Sequence, residues 1–177
     1  MSYRDWIPTY TGLKFDVRNP DPKKIRIEDI AHQLSLTARF GGATKYIDSV
    51  AQHSVIVSMY LEREGHGRYN SFWGLLHDAA ETYIGDMRIG VKDLLPGYKE
   101  LEDNLLKVII TKYGLAWPMP AIVDEWDHLV GHNEAFSFIK NGSPKFFGVK
   151  PVRKIYLSYW EPEYAEEAFL NRFKILY

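Results

Sequence analysis

The chain has 177 residues, a formal net charge of −1 and no cysteine. That length suits one domain able to bury a sizeable core. A near-neutral balance gives no broad attraction to a nucleic acid polymer or a membrane, so a polyanionic ligand would have to be held by local cations or a metal. Without cysteine there are no disulfides and no thiolate ligands, which is compatible with the cytoplasm. A hydrophobic share of 46% with 15% aromatics argues against disorder. The N-terminal residues lack the apolar stretch of a signal peptide, and no run approaches a membrane span, so a cytoplasmic protein is expected.

Residues up to Lys24, rich in Pro, Gly, Asp and aromatics, read as an irregular arm with a short extended piece. Helical spacing of Ile27, Ile30, Ala31, Leu34 and Ala38 predicts a helix from Ile27 to about Thr37. Gly41-Gly42 stops it and opens a loop to Ser49. A second helix is expected from Ser49 to Glu64, ended by Gly65-His66-Gly67. Asn70 or Ser71 is the expected N-cap of a third helix that carries His77-Asp78 and ends at Gly85. Asp86 to Gly97 reads as loop or short helix, followed by a helix over Tyr98–Tyr113. The Trp117-Pro118-Met119-Pro120 linker leads to another helix from Ala121 to Lys140. Asn141–Lys150 reads as a loop, and Val152–Tyr159 as a short strand or extended connection. A last amphipathic helix has Pro162 in its first turn and Ala165, Ala168, Phe169, Phe173 and Leu176 facing inward. No internal repeat is visible. The sum is an all-α, single-domain helical bundle over residues 1–177.

Three of these segments carry ionisable groups where packing favours hydrocarbon. His77-Asp78 closes the apolar run Phe72-Trp73-Gly74-Leu75-Leu76, where charge is costly unless paired or metal-bound. His53 shares a helical row with Val50 and Val57, and Asp127 one with Val123 and Val130. Two imidazoles and two carboxylates suit a hard or borderline divalent cation, such as Co, Mn, Zn, Fe or Mg, without deciding among them. Taken singly, each histidine is more often a satisfied core group; His32, His66, His128 and His132 are read so, or as surface groups. Glu81 follows His77 by four residues and Asp78 by three, on nearly the same helical face, where it can position or deprotonate a water. Arg39 offers a planar fork for phosphate oxygens and Phe40 a face for a base.

The order His53, His77-Asp78, Asp127 resembles the HD-domain phosphohydrolases. Ser49-Val50-Ala51-Gln52-His53-Ser54 is similar to the first-histidine segment of their 5′-deoxynucleotidase branch, and Gly74 to Glu81 with Gly85-Asp86 and Val91-Lys92 to its central segment. A wider resemblance, through Tyr10-Thr11-Gly12, Phe15-Asp16, Ile27 to His32 and Arg39-Phe40-Gly41-Gly42, is to small phage and bacterial members that include the phage dATP triphosphohydrolases. The resemblance implies an all-α HD fold and a metal-dependent deoxynucleotide phosphohydrolase, in the host cytoplasm if phage-encoded. It further implies metal ligation by His53, His77, Asp78 and Asp127, with Glu81 and Asp78 catalytic. Asp86 then stands near the sugar, and Lys92 near the outer phosphates. Phe40 stands where the deoxynucleotidase branch has tryptophan, and Gly41-Gly42 leave room beside the base.

Release of triphosphate from a substrate such as dATP is the leading expectation. A 5′-deoxynucleotidase acting on monophosphates and a non-catalytic nucleotide-binding module are the alternatives. Related HD enzymes form dimers or rings, so a homo-oligomer is expected; Tyr156, Tyr159 and Trp160 belong either to such an interface or to a cover over the core.

Overall fold

The structure is a computed structural model, and it describes residues 6–142 and 155–177. It is all-α apart from one small hairpin. β1 (Ile7–Pro8) and β2 (Lys14–Phe15) pair antiparallel. There follow α1 (Ile27–Leu36), α2 (Val50–Arg63), α3 (Gly67–Leu76), α4 (Glu81–Ile84), α5 (Ile89–Lys92), α6 (Tyr98–Lys112), α7 (Ala121–Phe138) and α8 (Pro162–Leu176).

α2 is the axis of the bundle. Every residue from Val50 to Ser58 is buried, the pattern of a helix enclosed on all sides, and α1, α3, α7 and α8 pack around it. Ser49 caps its start by accepting the Gln52 N–H at 3.1 Å. Polar residues inside such a helix need partners. Gln52 finds them at both ends of its amide: Nε2 donates to the Ser158 carbonyl (3.0 Å), and Oε1 accepts the Trp160 N–H (3.1 Å). Arg172 of α8 is buried too, donating to the Ser58 hydroxyl (2.8 Å) and carbonyl (3.1 Å) and to Glu62 (2.7 Å).

The arm at the N-terminus is more firmly seated than its composition suggests. Phe15 and Ile25 are wholly buried, Phe15 stacks on Tyr83 at 4.0 Å between centroids, and the buried Asp29 accepts the Thr11 N–H at 2.6 Å.

The third helix differs from expectation at both ends. It starts at Gly67, where Gly65 and Gly67 with positive φ make a tight reversal after α2. Asn70 and Ser71 are inside it and donate back to the carbonyls of His66 and Gly67. At its other end the α-helix stops at Leu76 and does not run on to Gly85. The His77 ring takes the Gly74 carbonyl at 2.8 Å, the acceptor that a continuing helix would offer to residue 78. The N–H groups of Ala79, Glu81 and Tyr83 then bond three residues back, making a tightened turn before the single turn of α4.

α7 ends at Phe138, two residues short of the expected limit, because Ile139 turns extended and bridges to Thr44. Residues 155–160 form an extended connection with no strand; the rest of the expected loop and strand lies outside the described residues. The inward face of α8 is as expected, with Ala168 half-buried and Arg172 added to it. Trp160 packs against the core, whereas Tyr156 is 81% exposed. Among the described residues no helix is long and apolar enough to cross a membrane.

Gly74 sits where α3 comes nearest to α2: an added Cβ would stand 2.5 Å from Leu61 Cδ1 and 3.1 Å from Val57 Cγ1. Gly74→Ala is therefore expected to destabilise the fold by about 1–3 kcal/mol through overpacking, read as a lower urea midpoint with an unchanged slope.

Candidate metal centre

α2, the turn after α3, and α7 deliver three side chains to one point. His53, His77 and Asp127 each offer a ligand atom within 4.8 Å of the others. Both imidazoles are buried, and both are fixed by their far nitrogen. His77 Nδ1 donates to the Gly74 carbonyl. His53 Nδ1 lies 2.9 Å from Glu134 Oε2 and 3.1 Å from Oε1, with Glu134 wholly buried. With Nδ1 carrying the proton on each ring, the two Nε2 lone pairs face the same carboxylate oxygen. His53 Nε2 is 2.9 Å from Asp127 Oδ1 and His77 Nε2 is 3.7 Å from it.

Three acceptors converging in a buried place repel unless a cation stands between them. The buried Nε2 of His77 has no hydrogen-bond partner. Protons, like a cation, can offset that repulsion. Burial and Arg39 work against charge on His53, yet Glu134 and Asp127 raise its pKa; burial opposes charge on His77 too, yet Asp78 and Asp127 hold it well above the usual range. Burial pushes the Asp127 carboxyl up, yet the imidazoles of His53 and His77 beside it hold it well below the ordinary carboxylate range. The donor set, its locked tautomers and the orphaned Nε2 fit a divalent ion.

Asp78 stands beside this triplet, its Oδ2 3.2 Å from His77 Nε2 and 3.3 Å from Arg39 Nη1. Arg39 is less free than a phosphate fork would be: its Nε also meets Glu134 Oε2 at 3.2 Å. Its Nη2 lies 3.2 Å from where a Cβ on Gly131 would be, so that glycine leaves room for the guanidinium against α7. Phe40 follows with φ +56° and ψ +20°, left-handed geometry that is costly for a bulky residue and is found most often where a loop has a task. Its ring lies 5.5 Å from the Arg39 guanidinium. The room expected at Gly41 is filled by the Arg88 side chain, which donates to the Gly41 carbonyl at 3.2 Å.

Glu81 has one oxygen 3.8 Å from Lys92 Nζ and the other buried without a partner. Burial first, then Asp78 and Asp86, push its pKa well above the ordinary value. Lys92 is shared with Glu102 at 2.7 Å. Asp86, half-buried, feels Arg39, Asp78, Lys92 and His53 electrostatically, with burial raising its pKa. The fold thus gathers His53, His77, Asp78, Asp127, Glu81, Arg39 and Asp86 into one electrostatic cluster, with Lys92 at its edge and Phe40 beside Arg39.

The chain matches two proteins of known sequence. It is 40% identical over 123 residues to an uncharacterized protein of Rhodobacter capsulatus, a match covering 67% of this chain and 63% of that relative. It is 33% identical over 174 residues to the uncharacterized protein YfdR of Escherichia coli K12, covering 97% of this chain and 95% of YfdR. The chain belongs to the YfdR family. No family model matches it.

Two residues of this YfdR-family centre escape a reading of the sequence. Glu134 follows Asp127 by seven residues, two turns along the same face of α7, and that spacing was the available signal. Asp48 precedes the cap of α2 and carries no signal. Its carboxylate is buried with both oxygens unpartnered. Burial, reinforced by Glu134, pushes its pKa up to about 8, far above the ordinary carboxylate range.

Glu134→Gln is expected to weaken metal binding about 10–100-fold while the chain stays folded, the usual cost of losing the partner that orients a ligating histidine; a metal titration monitored by calorimetry checks it. Asp48 is neutral when folded and ionised when unfolded, so its contribution to stability is full below its unfolded pKa and is lost as pH rises toward its folded one. Metal-free Asp48→Asn should therefore be more stable than wild type at about pH 7.5, by on the order of 1–3 kcal/mol. The gain should vanish near pH 4, as read by thermal melts at the two pH values.

Proposed function

We propose that this YfdR-family protein is a metal-dependent phosphohydrolase of the HD type acting on deoxynucleotides, releasing triphosphate from a deoxynucleoside triphosphate such as dATP. The observation that carries the reading is the convergence of His53 Nε2, His77 Nε2 and Asp127 Oδ1, with both imidazoles locked through Nδ1. Asp78 adjoins the triplet as the fourth ligand and as a group that orients water.

When bound, the ion would supply Lewis acidity toward a phosphoryl oxygen and toward the attacking water. The chain's own residues do the rest. Glu81 holds a partnerless, buried oxygen one turn beyond His77, the place for a base that takes the proton of the attacking water. Its raised pKa makes it a stronger base than an exposed glutamate, and the nearby Lys92 restrains that rise. Arg39 bridges Asp78 and Glu134 and so couples the metal's surroundings to the loop that presents Phe40. Phe40 offers a face to the base, and Asp86 an acceptor to a sugar hydroxyl. Arg88 and Lys45 rest on the carbonyls of Gly41 and Ser137. Their charge is thereby left to answer a phosphate tail, which supports a triphosphate over a monophosphate.

The test is product identification with metal-loaded protein and a panel of deoxy- and ribonucleotides. Triphosphate from dATP is the expected product. Orthophosphate from dAMP with dATP untouched would replace the reading by a 5′-deoxynucleotidase, and no product with any divalent ion by a non-catalytic module. Glu81→Gln should keep its metal and lose about 100–10,000-fold in turnover; near-normal turnover would make Glu81 structural.

A further inference from the structure

Three of the chain's six histidines lie outside the centre yet share one place. His66, from the link between α2 and α3, lines a cavity of about 480 Å³ together with His128 and His132 of α7, with Glu125 and Trp126 also in its lining. His128 and His132 are separated by four residues, so they rise from the same face of α7, and Glu125 lies on that face one turn earlier. Two histidines at this spacing on a helix form a chelating pair for zinc-like ions. His128 Nδ1 is engaged by the Asp124 carbonyl at 3.0 Å, which leaves Nε2 as its ligating nitrogen. Trp126 is 6% exposed and gives the cavity an apolar floor.

A solvated helix face explains one exposed histidine, and two with less ease. It does not explain a third brought from another segment to line the same cavity. We infer that this cavity is a second metal site, which takes a borderline divalent transition-metal ion through His128 and His132, with His66 and Glu125 completing the ligand set. The donors stand apart around the cavity, and His128, His132 and Glu125 are exposed, so their side chains have room to turn toward an ion. Imidazole with one carboxylate favours zinc, nickel or copper over magnesium or calcium. The site abuts the first centre, because His128 Nδ1 is 3.8 Å from Asp127 Oδ2. It requires no substrate, and none of its proposed ligands is a ligand of the first centre.

The experiment is calorimetric titration of the metal-free full chain with Zn²⁺, for the wild type, His132→Ala, His66→Ala and His77→Ala. His132 is exposed and outside the core, and a thermal melt confirms that its replacement leaves the fold intact. Two classes of site are expected in the wild type. His132→Ala should weaken one class by roughly tenfold or more and spare the other, as loss of a ligand does; His66→Ala should weaken that same class. His77→Ala should remove only the other class. A single class in the wild type, lost with His77→Ala and untouched by His132→Ala, overturns the second site and leaves the first centre standing. Two classes that both survive His132→Ala also overturn it. Failure of the first centre would show as loss of the class sensitive to His77→Ala alone.

Discussion

The constraint on which this protein turns is electrostatic. Two buried imidazoles are tied through Nδ1 so that both Nε2 atoms face one oxygen of Asp127, an arrangement that needs positive charge between the three. Around them stand Asp48, Asp78, Glu81, Asp86 and Glu134, and among the described residues Arg39 and Lys92 are the permanent cations that act on this group most directly. Such a concentration of like charge at the middle of a bundle is tolerable only where protons or a cation offset it. The crowding is reflected in the displaced pKa values of both histidines, Glu81 and Asp48.

The rest of the architecture keeps that crowding in place. α2 is enclosed on every side, so His53 has little freedom to turn away. The break after Leu76 comes from the same bond that fixes His77, and it leads directly into Asp78 and the short helix bearing Glu81. Arg39 ties two of the carboxylates together from the loop before α2, and Gly131 on α7 leaves the space it occupies. A structural glycine and a charged loop residue are in this way linked to the geometry of the metal ligands.

Much of this was legible in the residues. His77-Asp78 at the end of an apolar run, His53 and Asp127 on apolar rows, and Glu81 one turn on all point to a common site, and the structure brings them together. What resisted reading were effects of tertiary contact. A 3.6-residue period carries no mark of the point where His77 captures a backbone carbonyl, so the helix was expected to continue. Phe15 and Ile25 are isolated apolar residues in a polar stretch, and their burial depends on what packs over them. Arg39 reads as a free fork because neither of its partners is near it in sequence. Asp48, beside a capping serine, looks like an ordinary turn residue.

The sequence separation of the ligands has a kinetic consequence. Asp127 and Glu134 meet His53 across separations of 74 and 81 residues, so the ligand set closes only once α7 has docked on α2. Contacts of such long range generally form late in folding. An ion that binds only the closed set lowers the free energy of the native state more than that of the folding barrier. Its stabilisation then falls on the unfolding rate and leaves the folding rate little changed. The bound chain would persist longer once formed without forming any sooner, a durability that depends on the order in which distant helices meet.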